Sequence, residues 1–198
     1  MDYQWLLFCP QLPATPSSPR VTIWRRMRSA GAIGLDNGLW LLPHNDSSVQ
    51  MMQEMSDYVT QSGGSSKTFL SNAFDEATEQ SILERFHQDR AEEYAEFKEQ
   101  CADFLAEIEK ETKRKNFSFA EFEENEQDLN KLVNWLVKVK NRDFLGSPHA
   151  AEADQWLEKC QEIFQQFADE VYNNEDSDHN SKMRFDPGPV IDSETRDE

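Results

Sequence analysis

Residues 20–43 read RVTIWRRMRSAGAIGLDNGLWLLP, a run that holds a basic helix, a glycine stop, a turn signal and an apolar strand. At about 100° per residue, Ile23, Trp24, Met27 and Ala30 share one side of the helix, while Thr22, Arg25, Arg26 and Ser29 fall largely on the other. Gly31 supplies the stop. Beyond it, 33–35 and 39–42 flank Asp36-Asn37-Gly38, a hairpin signal because both central positions of a type I′ turn need positive φ. Pro43 closes the second arm. Helix, strand, turn, strand is the middle of a βαββαβ unit.

Working outward, residues 3–9 (YQWLLFC) are apolar on both faces, as a central strand of a covered sheet should be. Pro10, Pro13, Pro16 and Pro19 then exclude regular structure. They lead into the basic helix, with Ser17 or Ser18 as its cap and Pro19 at the first helical position. After Pro43, Asp46 is a suitable N-cap for a second helix. Val49, Met52, Met55, Tyr58 and Val59 recur at helical spacing until Gly63-Gly64, and 67–71 reads as a fourth strand. The order β, α, β, β, α, β predicts an α+β protein that opens with a ferredoxin-like plait, an antiparallel sheet carrying both helices on one face.

From Ala77 the period is helical throughout. Tyr94, Phe97, Cys101, Phe104 and Ile108 mark a seam on a helix predicted over about 78–115. Lys113, Arg114 and Lys115 suit its C-terminal dipole. Ser118 with Glu121 forms a capping box for a second helix carrying Leu129, Leu132, Val133 and Leu136. A third starts at Ser147-Pro148 and carries Trp156, Leu157, Cys160, Ile163, Phe164, Phe167 and Val171. These seams bury together or against the open sheet face. The expected organisation is a plait over 1–75, an all-α half of three helices over 76–172, and an acidic, disordered tail over 173–198.

Charge bears on partners. The chain of 198 residues has 20 Lys and Arg against 38 Asp and Glu, a net charge of −18. Residues 1–75 carry 5 positive and 6 negative charges, whereas 76–172 carry 12 and 24. A protein this acidic is a poor general DNA binder, because duplex affinity comes largely from cations that displace phosphate counterions. Screening limits distant carboxylates to a reach of about 8 Å at physiological salt, so a local arginine cluster still engages phosphate. Only the first domain has one.

Arg20, Arg25, Arg26 and Arg28 are that cluster. Guanidinium forks match phosphate and other oxyanions through paired donors. Alternatively they pair with the acidic helices of the second half, and the abundance of Asp and Glu there favours such pairing. Trp24 is a stacking surface or a core residue, and its wheel position beside Met27 and Gly31 favours burial. Trp5, Trp40, Trp135 and Trp156 read as packing residues. Cys9, Cys101 and Cys160 sit among apolar neighbours at unrelated spacings, which suggests neither a disulfide framework nor a zinc site but small buried hydrophobes.

Catalytic signals are weak. Glu84-x-x-His87 matches half of a di-iron carboxylate motif, but a dinuclear site needs two copies and two more inward glutamates, so no metal is expected. Glu121, Glu123, Glu124 and Glu126 read as a solvated helix face. There is no G-x-S-x-G, P-loop, flavin or dinucleotide fingerprint. Some plait nucleases carry a metal-binding Asp at the end of the first strand, where this chain has Cys9-Pro10. The expectation is a protein without cofactor that is not an enzyme. The start MDYQWLLFCPQLP lacks a basic n-region and an apolar run long enough to span a bilayer, so a cytoplasmic location and no membrane partner are expected.

The pattern R-V-x-I-W-R-R-M-x-x-x-G-A-I-x-L followed by L-W-L-L-P resembles the N-terminal domain of the chromate-resistance protein ChrB, and more distantly the PaaX-type regulators. The resemblance extends from Gln4 to about Val171 and includes Asn141-Arg-Asp-Phe-Leu145. It implies a role in chromate resistance through chromate-responsive transcriptional regulation. The function expected from it is a non-catalytic regulator or interaction module, with DNA or a protein as partner and chromate as effector. The alternative is an oxyanion-handling, reductase-like enzyme. Plaits of this kind associate through an exposed strand edge, which makes a homodimer the expected assembly.

Overall fold

The computed structural model describes residues 3–182, with side chains as far as residue 174. In chain order the elements are β1 (Trp5–Gln11), α1 (Ser18–Ser29), β2 (Ile33–Gly34), β3 (Trp40–Pro43), α2 (Asp46–Gln61), β4 (Ser65–Ser71), α3 (Glu76–Arg114), α4 (Phe119–Asn141) and α5 (Ala150–Lys182). The protein is a mixed α and β structure with one four-stranded sheet in the order β2-β3-β1-β4. Every neighbouring pair is antiparallel. Among the described residues, one compact unit draws on the chain up to Glu99 together with Asn134–Asp154, and a second on Gln100–Val133 together with the chain from Gln155 onward.

In the first unit β1 is central, pairing Leu6 with Leu42 on one side and with Leu70 on the other. Alternation along the strand then splits the apolar residues between two faces. Leu6, Phe8, Trp40 and Leu42 join Ile23 and Met27 of α1 and Met52, Met55 and Val59 of α2 in one core. Trp5, Ile33 and Leu41 face the other way and pack with Phe86 of α3, whose ring stacks on Trp5 at 5.5 Å. Both faces of the sheet are therefore covered, as the all-apolar reading of 3–9 requires. Each large side chain buried this way contributes about 1.5–3 kcal/mol.

The turn between β2 and β3 holds as a tight connection. Asn37 and Gly38 both have positive φ, 62° and 76°, and the Leu35 N–H donates to the Leu39 carbonyl at 2.8 Å. Asp36–Gly38 forms a single 3-10 turn rather than a two-residue loop. α2 is capped by Asn45, whose Oδ1 accepts from the Ser48 N–H at 2.8 Å, so Asp46 is in the first turn and not the cap. The asparagine backbone is extended there, with φ −152° and ψ 170°, which frees its side chain to reach the third N–H. Ser17 precedes α1 without a capping side-chain bond.

In the second unit the helical seams bury together. Cys101, Phe104 and Ile108 of α3, Leu129 and Leu132 of α4, and Cys160, Phe167 and Val171 of α5 are all buried. Phe122 lies 5.4 Å from Phe164 and 5.9 Å from Tyr172, ring to ring. Half of the expected capping box forms: Ser118 Oγ accepts from the Glu121 N–H at 3.3 Å, while the Glu121 carboxylate accepts from Asn116 Nδ2 at 3.0 Å. The Cys160 thiol donates to the Cys101 carbonyl at 3.7 Å, and both cysteines are free. α5 continues to Lys182, past the expected end of the helix near Tyr172, and 183–198 lie outside the described residues. No helix among the described residues is long and apolar enough to cross a membrane.

Candidate functional site on the first helix

α1 presents a narrow buried stripe, Ile23 and Met27, to the sheet, and no other residue of the helix is fully buried. Everything else on the helix is left to the surface. Arg20, Arg25, Arg26 and Arg28 are all exposed, as the wheel predicts. The structure corrects the placement of Trp24, which is 57 % exposed beside Val21 at 44 %. The reason is the narrowness of the contact. Packing on a sheet consumes only the i, i+4 pair, and Trp24, about 100° around from Ile23, passes beyond the rim. Val21, Trp24, Arg25 and Arg28 thus form one outward ridge at helical spacing.

The arginines are held to different degrees. Arg20 donates from Nη2 to the Ala14 carbonyl at 2.7 Å, which ties the start of α1 to the proline-rich connection. Arg26 lies over the Tyr58 ring at 5.1 Å, a cation–π contact that orients the guanidinium without neutralising it. Arg28 is 3.7 Å from Asp89 of α3. Arg25 has no hydrogen bond or ion pair among the described residues. Among the described residues, pairing with carboxylates therefore occurs at Arg28 alone of the four. Side chains paired this loosely and this near solvent are held by little, typically under about 1 kcal/mol.

A cleft of about 190 Å³ beside the ridge is lined by Pro10, Leu12, Arg20, Trp24 and Trp40. Its walls are apolar and aromatic and Arg20 is the one charged residue lining it, so what it offers chemically is an indole face beside a guanidinium.

A second set of charges lies where the 141–147 segment meets α1 and α3. Glu93 Oε2 accepts from Arg142 Nε at 3.2 Å and Nη2 at 3.0 Å, and the same oxygen is 3.0 Å from Arg90 Nη1. Burial, ahead of the neighbouring charges, lowers the pKa of the Arg90 guanidinium. Asp143 accepts from the Tyr94 hydroxyl at 3.0 Å and from the Ser147 N–H at 2.9 Å, and burial with this bond pushes the phenol well above its ordinary value. Sequence reading missed Arg90 and Glu93, which sit on the helix among many similar charges. The available signal was the 141–145 segment, an Arg-Asp-Phe unit following a helix end. No group of three or more His, Cys, Asp or Glu among the described residues is arranged to hold a metal ion.

No curated protein and no solved structure matches the chain. A family profile does, the one described as Protein ChrB, N-terminal, over residues 20–178. The match begins at Arg20 in α1, after the central strand β1, and takes in β2, β3, α2, β4 and most of the helical half. The chain belongs to the ChrB N-terminal family, which is associated with chromate resistance.

Proposed function

We propose that this protein is a non-catalytic regulatory module that docks α1 on nucleic acid, with Arg25, Arg26 and Arg28 toward phosphates and Trp24 as the stacking surface. The observation that carries the reading is the exposed ridge: a tryptophan among guanidinium groups of which, among the described residues, Arg28 alone has a carboxylate partner, on a chain whose net charge is −18. An acidic protein gains from such a patch by restricting contact to one face, since its other surfaces repel the duplex. The strand order, read from β4 as β4-β1-β3-β2, supports assignment of the sheet and its two helices to a ferredoxin-like plait. Transcriptional regulation in the cytoplasm, with chromate as effector, is the role that family membership supports.

Two copies associate in this reading through β4. Among the described residues that strand pairs with β1 alone. Its outer edge carries the half-exposed Phe69 and Leu70, with Lys67 its one charge. Antiparallel pairing about Thr68 sets Lys67 against Phe69 and brings no like charges opposite.

The direct test is fluorescence anisotropy of a labelled mixed-sequence duplex with the full chain and with the Arg25→Glu, Arg26→Glu double variant. Reversal of both charges is expected to abolish measurable binding. Unchanged affinity overturns the docking face.

A further inference from the structure

A cleft of about 290 Å³ opens between the end of α1, the start of α2 and the end of α4, away from the ridge. In a chain with 38 acidic residues, none of the Asp or Glu among the described residues lines it. Its polar side chains include Ser47, Ser48, Lys138, Asn141 and Arg142. Ser48 is the informative one. It is 2 % exposed, and its hydroxyl has no hydrogen-bond partner among the described residues. A buried hydroxyl left unpaired costs stability, so it calls for a partner.

The surroundings say what kind. Ser48 stands in the first turn of the sixteen-residue α2, where backbone N–H groups and the helix dipole favour negative charge. Asn45 satisfies only the Ser48 N–H, and the Ser47 N–H has no acceptor within the helix. Lys138 has no ion pair among the described residues. Glu93 occupies Arg142 Nε and Nη2, leaving Nη1 with the Ser29 carbonyl at 3.5 Å, a bond weak enough to exchange for a charged acceptor. Leu42 and Met51 form the apolar wall, which strengthens each of these interactions by excluding water.

We propose that this cleft binds a tetrahedral oxyanion of the sulfate, phosphate and chromate class, with Lys138 and Arg142 supplying charge and Ser48 the buried donor. The site is separate from the arginine ridge, and its occupancy fixes the end of α1 against α2 and the 141–145 segment. Anion binding here and duplex binding on α1 are thus tested by different variants.

Calorimetric titration of the full chain with sulfate, phosphate and chromate, at constant ionic strength in chloride, tests it. Saturable binding of about one anion per chain is expected. Lys138→Ala weakens it about tenfold or more, the loss of one charge-assisted contact. Ser48→Ala weakens it several-fold while leaving the melting temperature unchanged or higher, because it removes an unpaired hydroxyl. Arg25→Ala with Arg26→Ala leaves it intact. No saturable binding, or binding that survives Lys138→Ala and disappears in the α1 variant, overturns the proposal.

Discussion

Trp24, on the outer face of α1, and Gly31, just past its end, carry opposite burdens. Trp24 extends into solvent, so Trp24→Ala is expected to change stability by no more than about 0.5 kcal/mol while weakening duplex binding. A chemical denaturation curve beside the anisotropy titration separates the two effects, and a large loss of stability would place the ring in the core after all. Gly31 has φ +79°, and a Cβ there would lie 2.9 Å from Arg142 Cβ. Gly31→Ala is therefore expected to cost about 1–3 kcal/mol from backbone strain and displacement of the 141–145 segment, read as a lower denaturation midpoint. The glycine was legible as a helix stop because its conformational role is local. Its approach to Arg142 was not, since that contact joins residues far apart in the chain. Trp24 misled the wheel for a related reason: angular position is sequence-encoded, but the width of the buried stripe is set by the surface beneath.

At the scale of elements, capping fixes where α3 begins and ends. Asp75 Oδ1 accepts from the Thr78 N–H at 2.8 Å, and this bonding holds the Asp75 carboxyl below its ordinary value. At the far end Glu111 is buried and receives Asn116 Nδ2 at 2.7 Å, with Arg114 3.3 Å away. The Asn116 bond, ahead of the cations, depresses its pKa despite the opposing effect of burial. A carboxyl that holds its proton less tightly when folded stabilises the fold fully above the unfolded-state pKa, about 4.5 for Glu111. That contribution is lost as pH falls through the lower folded value. The melting temperature is expected to decline below about pH 4.5, and Glu111→Gln to flatten the decline. An equal slope in the variant would remove Glu111 from the account. Helix spans and the Ser118 cap were readable because they depend on residues three or four apart. The cap of α2 was displaced by one residue, from Asp46 to Asn45, because both side chains suit the role and only the extended backbone of Asn45 decides between them.

For the whole molecule, charge and strand edge act together. A net charge of −18 opposes association and nucleic-acid contact alike, so the proposed docking face and dimer edge both fall where acid is sparse. The strands and α1 lie in that nearly neutral part of the sequence, and composition alone pointed to it. What composition did not reveal was the acid-free cleft near Ser48, because Lys138 and Arg142 come from α4 and its end, inside the acidic half of the sequence. If β4 joins two copies, Phe69→Lys is expected to convert dimer to monomer by light scattering on a sizing column, with the helical circular dichroism unchanged. A variant that stays dimeric would move the interface elsewhere.

If the guanidinium groups of α1 meet phosphates, the salt dependence of duplex binding reports it. The logarithm of the association constant should fall linearly with the logarithm of salt concentration, and Arg25→Ala with Arg26→Ala should reduce the slope by roughly two units. A double variant that binds with the slope of the unmodified chain would contradict it.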